Sequence, residues 1–328
     1  MKPYSVFLSV VLVVCIGLVA ACKRPESSLT KSSDKSSSKA VQSASADEKK
    51  TAAREQPAEK KLAAYGGIYN VLVNEEHGLP EAYRTLTKKV LKAKVSDNIV
   101  FPAVENLDTM VTSLRQSRAE AAGGLEALDS AADKLIEACE KLLAHEKELV
   151  PYFADKAYKD DNMARAKTAF SSLEKDYESA LAALSKFGAE MLTAKRAVAE
   201  KHMETFKAEG DMVRYHTEEI LMLSEELLAL FDDPRVPFNR SEAFSRGNSI
   251  IVKLDNAIRA QRKAVEDARA KEKDDKVSPY YDAIRNSAGG IISDYREVRD
   301  KRSQVAFDGM LKKYDKAVQD YNSAQMKG

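Results

Sequence analysis

An all-α fold, an elongated antiparallel bundle of long coiled-coil-like helices behind a disordered tether, follows from three observations. Apolar residues recur at alternating steps of three and four over most of the chain, the spacing of one helical face. Charged residues make up 31% of the 328, while glycine and proline number only 13 and 9, a composition of long amphipathic helices. After residue 58 there is no Val/Ile-rich alternating run bounded by turn residues, so no sheet is expected.

The first element precedes the bundle. An apolar run from Val6 to Ala21 follows Lys2 and closes on Leu18-Val19-Ala20-Ala21-Cys22. Small residues immediately before a cysteine resemble the bacterial lipoprotein box. That resemblance implies a signal peptide over 1–21 that is cleaved, acylation of the Cys22 thiol, and a membrane anchor. A retained transmembrane helix is the alternative, but the 16 residues from Val6 to Ala21 fall short of the roughly 20 needed to span a bilayer. Residues 22–57 form the next unit, a lipidated cysteine and linker. Nine serines lie among Lys, Ala, Asp and Glu over 23–57, too little apolar surface to offset ordering entropy. As a flexible coil this tether reaches roughly 30–35 Å. Lys23 stands where an Asp in enterobacterial lipoproteins marks inner-membrane retention. The resemblance therefore favours the outer membrane, with the protein facing the periplasm of the bacterial envelope.

The helical body is expected over 58–328. Leu62, Tyr65, Ile68, Tyr69, Leu72 and Val73 share one face of a first helix, and Leu79-Pro80 starts a second, to about 94, since proline fits a first turn. From Val104 to Leu149 twelve of fourteen seam positions are apolar, the exceptions being Arg118 and Glu146. This reads as one helix about 69 Å long, with a kink at Gly123-Gly124. Arg118 and Glu146 are read as setting register. A turn through Pro151 and Tyr158-Lys159-Asp160-Asp161-Asn162 follows, with Asp160 or Asp161 as helix cap. The seam then resumes from Met163 to Met191, which makes an αα-hairpin. Residues 193–211 are weakly patterned. A shifted seam runs from Val213 to Leu230, so Gly210-Asp211 is either a break or a register slip. Asn239 with Glu242 resembles a capping box for a helix to about 272. Ser278-Pro279 opens a last helical region carrying Tyr281, Tyr295, Tyr314 and Tyr321.

Three stretches together resemble the YiiG-like family of bacterial lipoproteins of unknown function: Tyr65 to Asn74, Tyr158 to Lys167, and Phe238-Asn239 with the helix bearing Leu254, Asn256 and Ile258. After Lys167 the chain has Thr168-Ala169-Phe170 where that family has a more polar, His-containing run. The resemblance implies a helical lipoprotein body over about 60–325 and brings no catalytic residues.

No catalytic constellation stands out. The net charge of +1 gives no electrostatic case for nucleic acid. By the lipoprotein-box resemblance Cys15 would lie in the removed segment and Cys22 would be acylated. Cys139 remains as a small hydrophobe on a seam, without a disulfide partner. His145/Glu148 and His216/Glu219 have a three-residue spacing that resembles part of an imelysin-like signature. The expected glycine is missing, and ordinary helix-surface pairing accounts for them. His216, on an apolar seam, reads as a hydrogen-bonded core histidine. Ser172 with Lys175 lacks the companion motifs of a Ser-x-x-Lys enzyme. The tyrosine row reads as helix-interface core rather than a sugar platform. The expected function is thus a non-enzymatic, lipid-anchored scaffold that docks an envelope protein or polymer, with no metal and no cofactor. The alternative is a lipoprotein that holds a metal, haem or small molecule between helices.

Overall fold

A computed structural model describes residues 57–74, 76–231, 241–271 and 277–327. The expected signal peptide, Cys22, all but the last residue of the tether, and Asn239 of the proposed capping box lie outside the described residues. Among the described residues there are nine α-helices, two short 3-10 turns and no strand. No described helix is long and apolar enough to cross a membrane.

Helix α1 (57–72) buries Leu62, Tyr65, Ile68 and Leu72. Helix α2 (Leu79–Lys88) starts with Pro80 in its first turn and gives way to a 3-10 turn at Val90–Lys92, earlier than the continuous helix to 94 that the pattern predicts. Residues 93–106 form an irregular connection ending at Asn106, whose left-handed backbone (φ 56°) turns the chain into α3 (Leu107–Ala119).

The long helix expected from Val104 to Leu149 is two helices. Residues 120–125 leave the helical conformation, and α4 runs from Glu126 to Ala154. Gly124 adopts φ +84°, and its amide donates to Glu126 Oε1 at 3.0 Å. Here the chain reverses instead of kinking. Arg115 pairs with Glu140, Arg118 with Asp133, and Lys147 approaches Asp108, so the two helices run antiparallel. Pro151 does not end α4 as expected. It sits one turn from the C-terminus, and the helix closes past it with the Asp155 amide donating to Pro151 O at 2.9 Å.

Helix α5 (Ala164–Glu209) has 46 residues, about 69 Å at 1.5 Å per residue. Its cap residue is Met163 in the left-handed region, with no side-chain cap. Asp161 still accepts the Arg165 amide and the Tyr152 hydroxyl. Gly210-Asp211 is a break: Gly210 takes φ +74°, and Asp211 caps α6 (Met212–Ala229) by accepting from the Arg214 amide. Helix α7 (Ser241–Lys271) precedes the last region, which is again divided. Arg302 at φ 55° ends α8 (Tyr280–Lys301), and the Ser303 hydroxyl accepts the Ala306 amide at the start of α9 (Gln304–Lys327).

Cross-helix contacts set neighbouring helices antiparallel: His145–Asp176 and Glu148–Arg165 between α4 and α5, and Lys195–Glu225 and His202–Glu218 between α5 and α6. Phe231–Phe244 and Thr217–Gln261 do the same where α6 meets α7, and Asn248–Arg299 and Arg269–Asp282 between α7 and α8. The interior divides into two apolar clusters. The first gathers α1 to the middle of α5, from Leu62 to Met191, and the second gathers α6 to α9, from Ile220 to Tyr321. The C-terminal third of α5 runs between them. This explains its weak pattern, because its neighbours change along its length.

Two glycines permit close helix approach, Gly188 of α5 against Tyr69 of α1 and Gly247 of α7 against Tyr295 of α8. A Cβ at Gly247 of α7 would lie about 2.5 Å from the Tyr295 hydroxyl, which is fixed by donation to Phe244 O. The Tyr295 ring is fully buried and has no room to yield. Gly247→Ala is therefore expected to destabilise the fold by about 1–3 kcal/mol, read by urea denaturation. Unchanged stability would show that the α7–α8 contact is loose.

Candidate functional site

A polar cluster lies where α1, α5, α6 and α9 meet. It is centred on His202, which the sequence places two heptads before His216 and which reads there as a hydrogen-bonded histidine rather than a ligand. His202 Nε2 lies 3.0 Å from Glu59 Oε1 of α1, and Nδ1 lies 3.4 Å from Glu218 Oε1 of α6. Tyr321 of α9 donates to the same Glu218 oxygen at 2.6 Å. Glu218 and Tyr321 are buried.

The imidazole is thus flanked by two carboxylates, one on each ring nitrogen. The hydrogen bond to Glu218, then that to Glu59, push His202 up to about 10, against burial, which works the other way. At neutral pH it is a fixed cation and a poor proton acceptor, unlike a general base poised near 7. Nearby, Lys195 pairs with Glu225 and Arg196 with Glu226, further fixing α5 on α6. A cavity of about 70 Å³, walled in part by Leu62, His202, Glu218, Leu221 and Val318, adjoins the cluster. It has room for a few waters, well below the 300–1,000 Å³ of small-molecule sites.

A second buried cluster fixes α1 to the α3–α4 turn. Lys61, almost inaccessible, donates to Asp129 Oδ2 at 2.9 Å and to the carbonyls of Glu120 and Arg118. Tyr65 donates to Asp129 Oδ1 at 2.8 Å. Burial, then the bond to Asp129, hold the Tyr65 hydroxyl well above the ordinary phenol range. Both clusters act on the first three turns of α1, the point at which the chain emerges from residues 22–57.

The residues singled out by sequence are dispersed. His145 bonds to Asp176 at 3.0 Å, while Glu148 takes Arg165 at 2.9 Å, so the pair expected from spacing does not form. His216 does pair with Glu219, at 3.0 Å. Among the described residues no group of three or more His, Cys, Asp or Glu side chains is arranged to hold a metal. Cys139 is fully buried, and burial pushes its thiol up to about 12, which makes it unreactive. Tyr295, Tyr314 and Tyr321 are core residues, and Tyr281 is partly buried. Of the seam exceptions, Arg118 reaches Asp133 and Asp129 at the surface, and Glu146 is buried.

Fold and site together define an all-helical body whose interior polar groups join one helix to another. The chain belongs to the family described as "Protein of unknown function (DUF3829)", whose model matches residues 56–327. No curated protein and no solved structure matches it.

Proposed function

We propose that this chain is a lipid-anchored protein of the bacterial envelope, held through Cys22, whose helical body is a non-enzymatic scaffold for an envelope protein or polymer. Within its uncharacterised family we place it with the YiiG-like lipoproteins. The observation that carries this reading is the order of Leu18-Val19-Ala20-Ala21-Cys22, the serine-rich 23–57 and then a helix whose first turns carry Glu59 and Lys61. Pulled through its tether, the body would take the load at α1. Glu59 and Lys61 connect α1 directly to α5 and to the α3–α4 turn. A helical body behind a serine-rich lead suits capture of a partner at some distance from the membrane. Two or three acyl chains would make the attachment stable, where one would be marginal. With Lys23 after the cysteine, the outer membrane facing the periplasm is the favoured site.

Labelled palmitate fed to cells is expected to enter the wild-type protein and to be absent from Cys22→Ala. Label persisting in that variant would overturn the anchor. Crosslinkers at exposed positions such as Arg115 and Lys186 are expected to trap one recurring envelope component. Trapping of lipid alone would overturn the scaffold reading.

A further inference from the structure

We propose that Glu146 is a proton-operated latch on the connection 93–106: the neutral carboxyl keeps this segment closed over the first core, and the ionised one loosens it. The segment has no regular structure, yet Ile99, Phe101 and Val104 are buried, while Val100 between them is 74% exposed. Three interior side chains hold its backbone. Tyr158 donates to Asp97 O at 2.9 Å, Tyr177 donates to Pro102 O at 2.9 Å, and Glu146 Oε1 accepts the Val104 amide at 2.8 Å.

Glu146 is only 5% exposed, on the face of α4 that packs against α5 and the segment. Its partners are neutral: the Val104 amide and the Tyr177 hydroxyl at 3.5 Å. The titratable groups around it are Tyr177 from α5, Cys139 from its own helix and, behind Tyr177, Tyr83 of α2, whose hydroxyl is taken by Glu178. The adjacent basic side chains are engaged elsewhere, His145 with Asp176 and Lys147 near Asp108 of α3. A carboxylate buried without a counter-charge is costly to ionise. Burial pushes Glu146 up to about 7, against the opposing effect of the Val104 amide and Tyr177.

The sign follows from proton linkage. The closed state holds the proton up to about pH 7, whereas an opened, hydrated carboxyl releases it near the ordinary value of about 4.3. Between those values the closed state binds more protons, so each rise in pH favours opening. Above about 7 both states are ionised and the effect levels off. Opening presents Ile99, Phe101 and Val104 to solvent beside Val100.

Hydrogen exchange of the full chain, corrected for intrinsic rates, tests this. Amides at 98–106 are expected to lose protection by up to about tenfold per pH unit from 5 to 7, then plateau. Glu146→Gln is expected to stay protected throughout. A flat wild-type profile, or the same pH dependence in Glu146→Gln, would overturn the latch. So would parallel loss of protection around Leu184 of α5, which would show whole-core opening. A carbon-13 titration of the wild-type Glu146 carboxyl gives a readout independent of any variant. A midpoint near 7 supports the proposal, and one near 4.5 overturns it.

Discussion

Asp129→Ala is expected to lower the free energy of unfolding by about 3–5 kcal/mol, among the largest effects of any single side chain in this protein. Lys61 has a side-chain exposure of 1%, with Asp129 as its carboxylate partner, and its other two contacts are backbone carbonyls. Removal of Asp129 leaves an ammonium ion in the interior with carbonyl dipoles alone. It also leaves the Tyr65 hydroxyl without its acceptor, a further loss of about 1 kcal/mol or more. Arg118 offers Lys61 no relief, because it is a second cation on the same carboxylate at 3.6 Å; with 41% of its side chain exposed it keeps water and Asp133 as partners.

The cost arises from an uncompensated charge, so removal of the charge as well should recover most of it. The triple variant Lys61→Met, Tyr65→Phe, Asp129→Leu is expected to return to within about 1–2 kcal/mol of wild type, since an apolar replacement for a buried pair is often neutral. Urea denaturation of the two variants decides the matter. A loss below about 1 kcal/mol in Asp129→Ala would mean that water already reaches Lys61.

The same residues show what the sequence could and could not reveal. The seam positions Leu135, Cys139, Leu142, Tyr177, Phe187 and Met191 are all fully buried, because a helical face repeats locally and needs no knowledge of its partner. The reversal at 120–125 was hidden for the same reason. The three-four rhythm re-enters at Leu125 and Leu128 as if nothing had intervened, and only Gly123-Gly124 marks the place. The break at Arg302 had no such marker, because a non-glycine residue holds the left-handed conformation there. The polar clusters were still less legible. Glu59 and His202 are 143 residues apart, and Tyr321 lies 103 residues from Glu218. Glutamate is so frequent in this chain that no spacing distinguishes the two that meet His202. Its spacing of two heptads from His216 and its place in a weakly patterned stretch were the available signals, since a helix passing between two cores alters its buried face along the way.

His202→Gln is expected to remove a stabilisation that depends on pH in a defined direction. The folded state raises His202 from about 6.5 to about 10, so between these values it holds a proton that the unfolded chain releases. The contribution is therefore complete below about pH 6.5 and is lost as pH rises towards 10. A shift of this size corresponds to at most about 5 kcal/mol, and about 2–3 kcal/mol after screening of a ring 27% open to solvent. Wild-type stability should fall over pH 6.5–10, and His202→Gln should be weaker at pH 6 and flatter across that window. The window lies above that of Glu146, so two variants in one pH series separate the two groups. His202 also joins α5 to α1 on one side and to α6 on the other, across the boundary between the cores. Its loss should consequently reduce cooperativity, with probes at Tyr177 and Tyr295 reporting separate unfolding midpoints. Coincident midpoints together with an unchanged pH slope would show that the cores are coupled through the other α5–α6 contacts, the Lys195–Glu225 and Arg196–Glu226 pairs among them.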